Sequence, residues 1–222
     1  LQVFVEQLGS SLYSENLSEP RFNTPEAERA LNFAREMYEV AYPTGSRPAS
    51  PFTARGTAMH FWFSTWHTTP LSDTYGPDIL QHARLAKVPG PDGPSRALGI
   101  VAGWGWAISP DSPRPDAAWR IIEFFLSEEI QGRFLSSFAP GGLLSPRRSQ
   151  EYPPETPFLE DALRLAAPPI TTWGPVHPLF GDVIRIAGPP IFEAVQGERP
   201  VGSTLEEVQR LLVNLFSEAG LR

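Results

Sequence analysis

Apolar residues recur at helical spacing over much of the chain. Ala27, Ala30, Leu31, Ala34, Met37 and Tyr38 mark one face of a helix over about residues 25–40. Its start is marked by Asn23-Thr24-Pro25-Glu26. That motif is a capping side chain followed by a proline in the first turn, where a missing N–H costs no hydrogen bond. Residues 1–8 form the end of a helix stopped at Gly9, and residues 10–22 a loop or short strand. Beyond the breaker Ser109-Pro110-Asp111-Ser112-Pro113, the positions Ala117, Ala118, Ile121, Ile122, Phe125 and Leu126 predict a helix over about 113–126 with a broad buried face. Ser127-Glu128-Glu129 opens another, running to about Phe138 and ended by Pro140-Gly141-Gly142. Residues 158–165 form a short helix, and residues 180–195 a longer one with a kink expected at Gly188-Pro189-Pro190. Ser203 and Glu206 have capping-box spacing. They open a last amphipathic helix with Leu205, Val208, Leu211, Leu212 and Leu215 on one face.

The strand signals are shorter. Residues 52–56 lead into a strand over 58–63, and a short helix is expected at 79–84. A strand near 85–88 ends at Pro89-Gly90-Pro91-Asp92-Gly93, a tight turn, and residues 96–102 form the next strand. Residues 143–147 are extended, and residues 167–178 form a Pro/Thr/Trp loop. No internal repeat is present. Mixed helices and strands with more helix than strand give an α/β class.

The strand at 96–102 runs into Gly103-Trp104-Gly105-Trp106. The glycines allow a sharp turn because they lack the Cβ that forbids positive φ. The indoles are large flat surfaces beside it. Such a corner suits the holding of a flat-faced ligand and supplies no nucleophile or base for bond-making.

Composition narrows the picture. Of 222 residues, 41 % are apolar and 19 % charged, enough for a packed core in one large or two modest domains. Twenty-five prolines imply many stiff loops. The formal charge is −7, and no basic run points to nucleic acid. The absence of cysteine excludes disulfides, thiolate metal sites and cysteine nucleophiles. No run of 18 apolar residues spans a membrane as a helix. The first residues, LQVFVEQLGSSLYSEN, lack both the basic start and the cleavage site of a signal peptide, and there is no initiator Met. Residue 1 is therefore expected to lie inside a longer protein.

Six pieces then recur in one order. FNTPEAERALNFAREMYE, FTARGTAMHFWFSTW, KVPGPDG, VAGWGWAISPDSPRPDAAWRIIEFFLSEEIQGRF, GGLLSPRRS and EAVQGERPVGSTLEEVQRLL together resemble the extracellular solute-binding proteins of family 1, the carbohydrate-type receptors of ABC importers. Two departures stand out: the loop before the Gly-x-Ala-Met strand is short, and Ala102 replaces the first glycine of the hinge pair while Gly103 is kept.

The resemblance implies a periplasmic-binding-protein-like α/β fold of type II, represented by its carboxy-terminal lobe, the hinge and a few helices of the other lobe. By that likeness residues 1–102 are the first part of the carboxy-terminal lobe. Residues 103–150 cross the hinge and supply helices of the amino-terminal lobe, and residues 151–222 return. Most of the amino-terminal lobe would be absent, leaving those helices to pack on omitted chain or on another copy. The implied protein is exported, periplasmic or at the cell surface. It would be lipid-anchored through an N-terminus lying outside these residues, with a carbohydrate solute and the membrane subunits of an ABC permease as partners, and no cofactor.

Candidate ligand contacts follow from the same likeness. Trp66 falls where the family places a cleft aromatic, Trp104 at its variable cleft position beside Gly103, and Trp173, His177 and Phe180 in the loop and helix start it uses for ligand. An indole face packs on sugar C–H groups while the hydroxyls stay free for hydrogen bonds. The plainer reading of each tryptophan is core packing, and of His177 a surface or capping residue. Trp62, Trp106 and Trp119 are assigned to structure.

His60 and His67 lack the convergent third and fourth ligands that a metal needs. Glu128-Glu129 and Glu206-Glu207 sit in first helical turns, where they favour the positive end of the dipole. No hydrolase elbow, zinc-protease motif, phosphate loop or dinucleotide fingerprint is present. The resemblance implies non-covalent solute capture between two closing lobes as the function. The rival is a glycoside hydrolase fragment, which would need two facing carboxylates from among Asp73, Asp78 and Asp182.

Overall fold

The computed structural model describes residues 1–41, 82, 84–101, 105–137, 145, 149–152, 159–168, 170–172 and 177–221. Among them the order is α1 (Gln2–Gln7), α2 (Pro25–Ala41), β1 (Val88–Gly90), β2 (Gly93–Val101), α3 (Pro115–Phe125), α4 (Glu128–Ser137), α5 (Leu159–Ala166), β3 (Ile170–Thr172), α6 (Phe180–Val195) and α7 (Val201–Glu218). The chain divides into two compact units: Leu1–Arg47 with Lys87–Val101 and Pro169–Arg222, and Pro48–Ala86 with Ala102–Pro168.

The first unit is built around α7. Leu205, Val208, Leu212 and Phe216 lie on one stripe of this helix and are essentially closed to solvent, as are Val5, Ala27, Ala30 and Leu31 from α1 and α2. The helical spacing of the apolar residues is what allows α2 to pack against α1, α6 and α7 at once. Of the expected stripe, Leu211 and Leu215 are only half-buried, and Phe216 takes the deepest place.

Side chains fix the loops onto this core. The Gln209 Oε1 accepts from the Phe22 N–H at 2.7 Å and the Asn23 N–H at 3.3 Å, while its Nε2 donates to the Pro20 carbonyl at 2.8 Å. One residue of α7 thereby satisfies the backbone leading into α2. Thr24 then caps α2, its Oγ1 accepting from the Ala27 N–H at 3.1 Å.

The strands form a three-stranded sheet in the order β1-β2-β3. β1 and β2 pair antiparallel across Pro91-Asp92, and Gly93 takes a left-handed φ of 78° at the end of that turn. Gly90 is required for another reason. A Cβ there would lie 2.7 Å from the Gln7 Oε1, and the Gln7 Nε2 donates to the Val88 carbonyl at 2.6 Å. α1 thus sits directly on the hairpin.

Two expectations change in this unit. The last helix begins at Val201, with Pro200 as its N-cap and no side-chain capping bond. Ser203 is already inside the first turn, and its Oγ donates back to the Pro200 carbonyl at 3.3 Å. The capping box therefore does not form, because the helix starts earlier than its spacing requires. α6 is assigned as one helix that includes Pro189 and Pro190, although neither has an N–H for the preceding turn. The segment taken as pure loop contains β3, whose β-branched Ile170-Thr171-Thr172 suits a strand.

In the second unit only part of the chain is described. Its described core positions are Leu85, Ile122 and Ala162. Asp161 of α5 joins Leu85 to that helix: its Oδ2 accepts the Leu85 N–H at 2.9 Å, and Arg164 donates both to the Leu85 carbonyl at 2.9 Å and to Asp161 at 2.7 Å. Burial alone would raise the Asp161 pKa, but the Leu85 N–H and the Arg164 guanidinium outweigh it and hold the carboxyl below its usual range.

The apolar face of α3 differs from expectation. Ile122 is its buried residue, while Ile121 is 55 %, Phe124 57 % and Phe125 39 % exposed, and Ala117 is also exposed. Trp119 is 53 % and Trp106 63 % exposed, so neither sits in a core here. Trp106 instead stacks on Phe125, with ring centroids 5.3 Å apart. The apolar residues of α3 are thus only partly covered, Ile122 by burial and Phe125 by the Trp106 ring.

Candidate functional site

β2 and β3 run parallel, pairing Gly99 with Ile170, Ile100 with Thr171 and Val101 with Thr172. Their carboxyl ends are therefore level. The chain leaves Val101 toward Gly103 and Trp104, and it leaves Thr172 directly into Trp173. In open α/β sheets, ligand crevices form outside the carboxyl ends of parallel strands. Backbone pairing thus starts two tryptophan-bearing segments from one sheet edge. Trp66, Gly103, Trp104 and Trp173 themselves lie outside the described residues, as do Trp62, His60, His67, Asp73, Asp78, the expected strand at 58–63 and, apart from Ser145, the extended segment at 143–147.

Four residues beyond Trp173 the chain is anchored by His177, which is buried. The Leu179 N–H, which can only donate, points at Nδ1 at 3.0 Å, and the Leu17 carbonyl, which can only accept, lies 2.9 Å from Nε2. Nδ1 therefore accepts and Nε2 faces the carbonyl as donor, and both nitrogens are committed inside the protein. The imidazole stacks on Tyr13 at 5.6 Å and on Phe216 at 4.8 Å. Its carbonyl accepts the Phe180 N–H at 3.0 Å as α6 begins.

His177 therefore serves as a clamp between the loop after β3, the loop carrying Leu17 and the core below α7. No ring nitrogen is left for a solute. Leu17 is the one described non-glycine residue with positive φ, at 59°, a left-handed conformation that costs on the order of 1 kcal/mol. The His177 Nε2–H holds its carbonyl there. Tyr13, packed against the same ring, has its pKa pushed up to about 12 by burial. Phe180, half-buried, is the first residue of α6.

Sequence reasoning placed His177 in the right loop but missed the Leu17 contact, 160 residues away in the chain. Only the β-branched run at 170–172 hinted at the level strand ends.

The remaining chemistry is modest. Asp182 is ion-paired with Arg185 at 2.9 Å in the first turn of α6. Among the described residues no group of three His, Asp or Glu side chains converges on a metal position, and no helix is long and apolar enough to cross a membrane.

The family described as bacterial extracellular solute-binding protein has a model that matches residues 2–132. Among solved structures, the sugar-binding protein MalE from the phytopathogen Xanthomonas citri is similar in fold, with a TM-score of 0.73 at 19 % identity. The match covers 98 % of this chain and 56 % of that one, so the chain spans little more than half the length of that protein. The helix-rich α/β architecture is thus that of a periplasmic binding protein in part. No curated protein matches the sequence.

Proposed function

Because the chain belongs to the bacterial extracellular solute-binding proteins, matched over more than half its length, we propose that it forms part of an exported receptor that captures a carbohydrate for an ABC importer. The reading rests chiefly on one observation: β2 and β3 end level and parallel, so Trp104 and Trp173 are carried on segments that start at one sheet edge. The similar fold belongs to a sugar-binding protein, which favours the same ligand class here.

In this reading Trp104, Trp173 and Trp66 offer flat apolar faces to sugar C–H groups, while backbone and polar side chains meet the hydroxyls. Gly103 lets the backbone approach closely, and Phe180 borders the solute at the start of α6. His177 acts one step back, holding the loop that bears Trp173. The two lobes of the complete receptor close on the solute by a hinge motion, and the closed form is what the permease recognises. Capture is non-covalent. The glycosidase alternative needs a facing carboxylate pair, and Asp182, one of its three candidates, is engaged with Arg185.

A thermal-shift screen of the receptor against mono- and oligosaccharides tests the ligand class. A ligand present at a hundred times its Kd stabilises the native state by about 2.7 kcal/mol, enough to raise Tm by several degrees. A panel of sugars that leaves Tm unmoved, beside an amino acid or polyamine that raises it, would replace carbohydrate with that class.

A further inference from the structure

The chain leaves the second unit for the first at two described places, between Ala86 and Lys87 and after Pro168. Each passage feeds an outer strand of one sheet: β1 begins two residues after Ala86, and β3 two residues after Pro168. The central strand, β2, carries the chain back after Val101.

On the side of the second unit these two passages are tied to each other. Leu85 stands one residue before Ala86, and α5 ends two residues before Pro168. The Asp161 carboxylate accepts the Leu85 N–H at 2.9 Å, while the Arg164 guanidinium donates to the Leu85 carbonyl at 2.9 Å and to Asp161 at 2.7 Å. Both backbone groups of Leu85 are thus held by one turn of a helix far away in the chain. Leu85 is buried and the Asp161 side chain only 16 % exposed, so water competes poorly for these charge-assisted bonds.

Hinge motion is absorbed by φ and ψ changes at a few loop or element-terminal residues. Between the tie and the sheet few such residues are left. On one passage they are Ala86 and Lys87. On the other they are Ala167, Pro168 and Pro169, where each proline ring fixes its own φ and restricts the residue before it. Past Val101 the sequence instead offers Gly103 and Gly105, which carry no such restriction.

We infer that Asp161 and Arg164 yoke the two returning passages into one stiff pivot, so that both turn together and bending falls on the glycine passage when the lobes move. The inference rests on the two-lobe hinge reading proposed above and concerns the motion, whatever the solute is. With the tie cut, each passage bends alone, and the solute-free receptor visits a wider range of arrangements.

The test is pulsed electron–electron resonance on the full receptor without solute. These 222 residues contain no cysteine, so E218C on α7 and R120C on α3, both at exposed positions, place one spin label in each unit. Asp161→Ala removes the acceptor of the Leu85 N–H and the partner of Arg164. The expected result is a distance distribution wider by about two-fold or more. Asp161→Asn keeps an acceptor for Leu85 but loses the charge facing Arg164. It should widen the distribution less, and it carries the test alone if the alanine variant does not fold. Arg29→Ala breaks the 2.8 Å ion pair with Asp92, inside the first unit, and should leave the width unchanged. Equal widths with and without the Asp161 substitutions would overturn the inference, and so would equal widening in Arg29→Ala, which would mark general loosening. Adding the sugar that most raises Tm separates the yoke from the hinge. A shift of the distance on binding, beside equal solute-free widths, keeps the hinge and rejects the yoke. No shift on binding rejects both.

Discussion

His177 shows how one side chain can set the position of a loop without touching a ligand. Its two nitrogens satisfy a carbonyl and an N–H from separate segments, and its ring fills the space between Tyr13 and Phe216. Replacing it by Leu would keep bulk while leaving the Leu17 carbonyl and the Leu179 N–H without partners. Unmade buried hydrogen bonds of this kind cost about 1–3 kcal/mol each, so a loss of roughly 2–6 kcal/mol is expected in urea unfolding. His177→Asn retains an acceptor near Nδ1 and should recover part of that loss. Tyr13 gives a pH signature from the same cluster. Its pKa is raised from 10.0 to about 12 in the folded protein. The protonated phenol is the form the fold favours, so its contribution is complete below pH 10 and disappears as pH rises through 12. Stability should fall by roughly 2–3 kcal/mol across that window, and Tyr13→Phe should flatten the step. The sequence identified Tyr13 only as a loop residue, because a burial created by partners at 177 and 216 has no local signal.

At the scale of elements, the long helices were legible because their stripes are local. The spacing from Ala27 to Tyr38 and the Thr24 cap describe α2 nearly to its ends. Thr24→Ala should cost about 1 kcal/mol, measurable as a lowered urea midpoint. The start of α7 was misplaced for an equally local reason. The Pro200 carbonyl already accepts the Thr204 N–H at 3.2 Å, so the helix is under way before Ser203. Ser203→Ala should therefore change stability by less than about 0.5 kcal/mol, unlike a true cap. Phe216→Ala, by contrast, empties the deepest position of the α7 stripe and should cost about 3–5 kcal/mol. β3 escaped notice because a three-residue strand just after Pro168-Pro169 carries too short a pattern to count. Its pairing with β2, a contact between distant segments, is what brings the candidate site edges together.

At the scale of the molecule, periodicity said that α3 has an apolar face but could not say what lies against it. Which of its apolar residues are buried depends on contacts with distant segments, which no spacing within 113–126 encodes. The site is similar. Indoles at 66, 104 and 173 and a glycine corner were visible in the chain, whereas the level ends of two parallel strands were not. The central claim is that a solute is held by tryptophans carried from that edge, and calorimetric titration reads it most directly. With the sugar that most raises the melting temperature, Trp104→Ala and Trp173→Ala should each weaken binding by at least ten-fold, while Trp119→Ala, remote from the strand ends in sequence and assigned to packing, leaves the affinity within two-fold. Unchanged Kd values in both of the first two variants, at full heat of binding, would contradict the account.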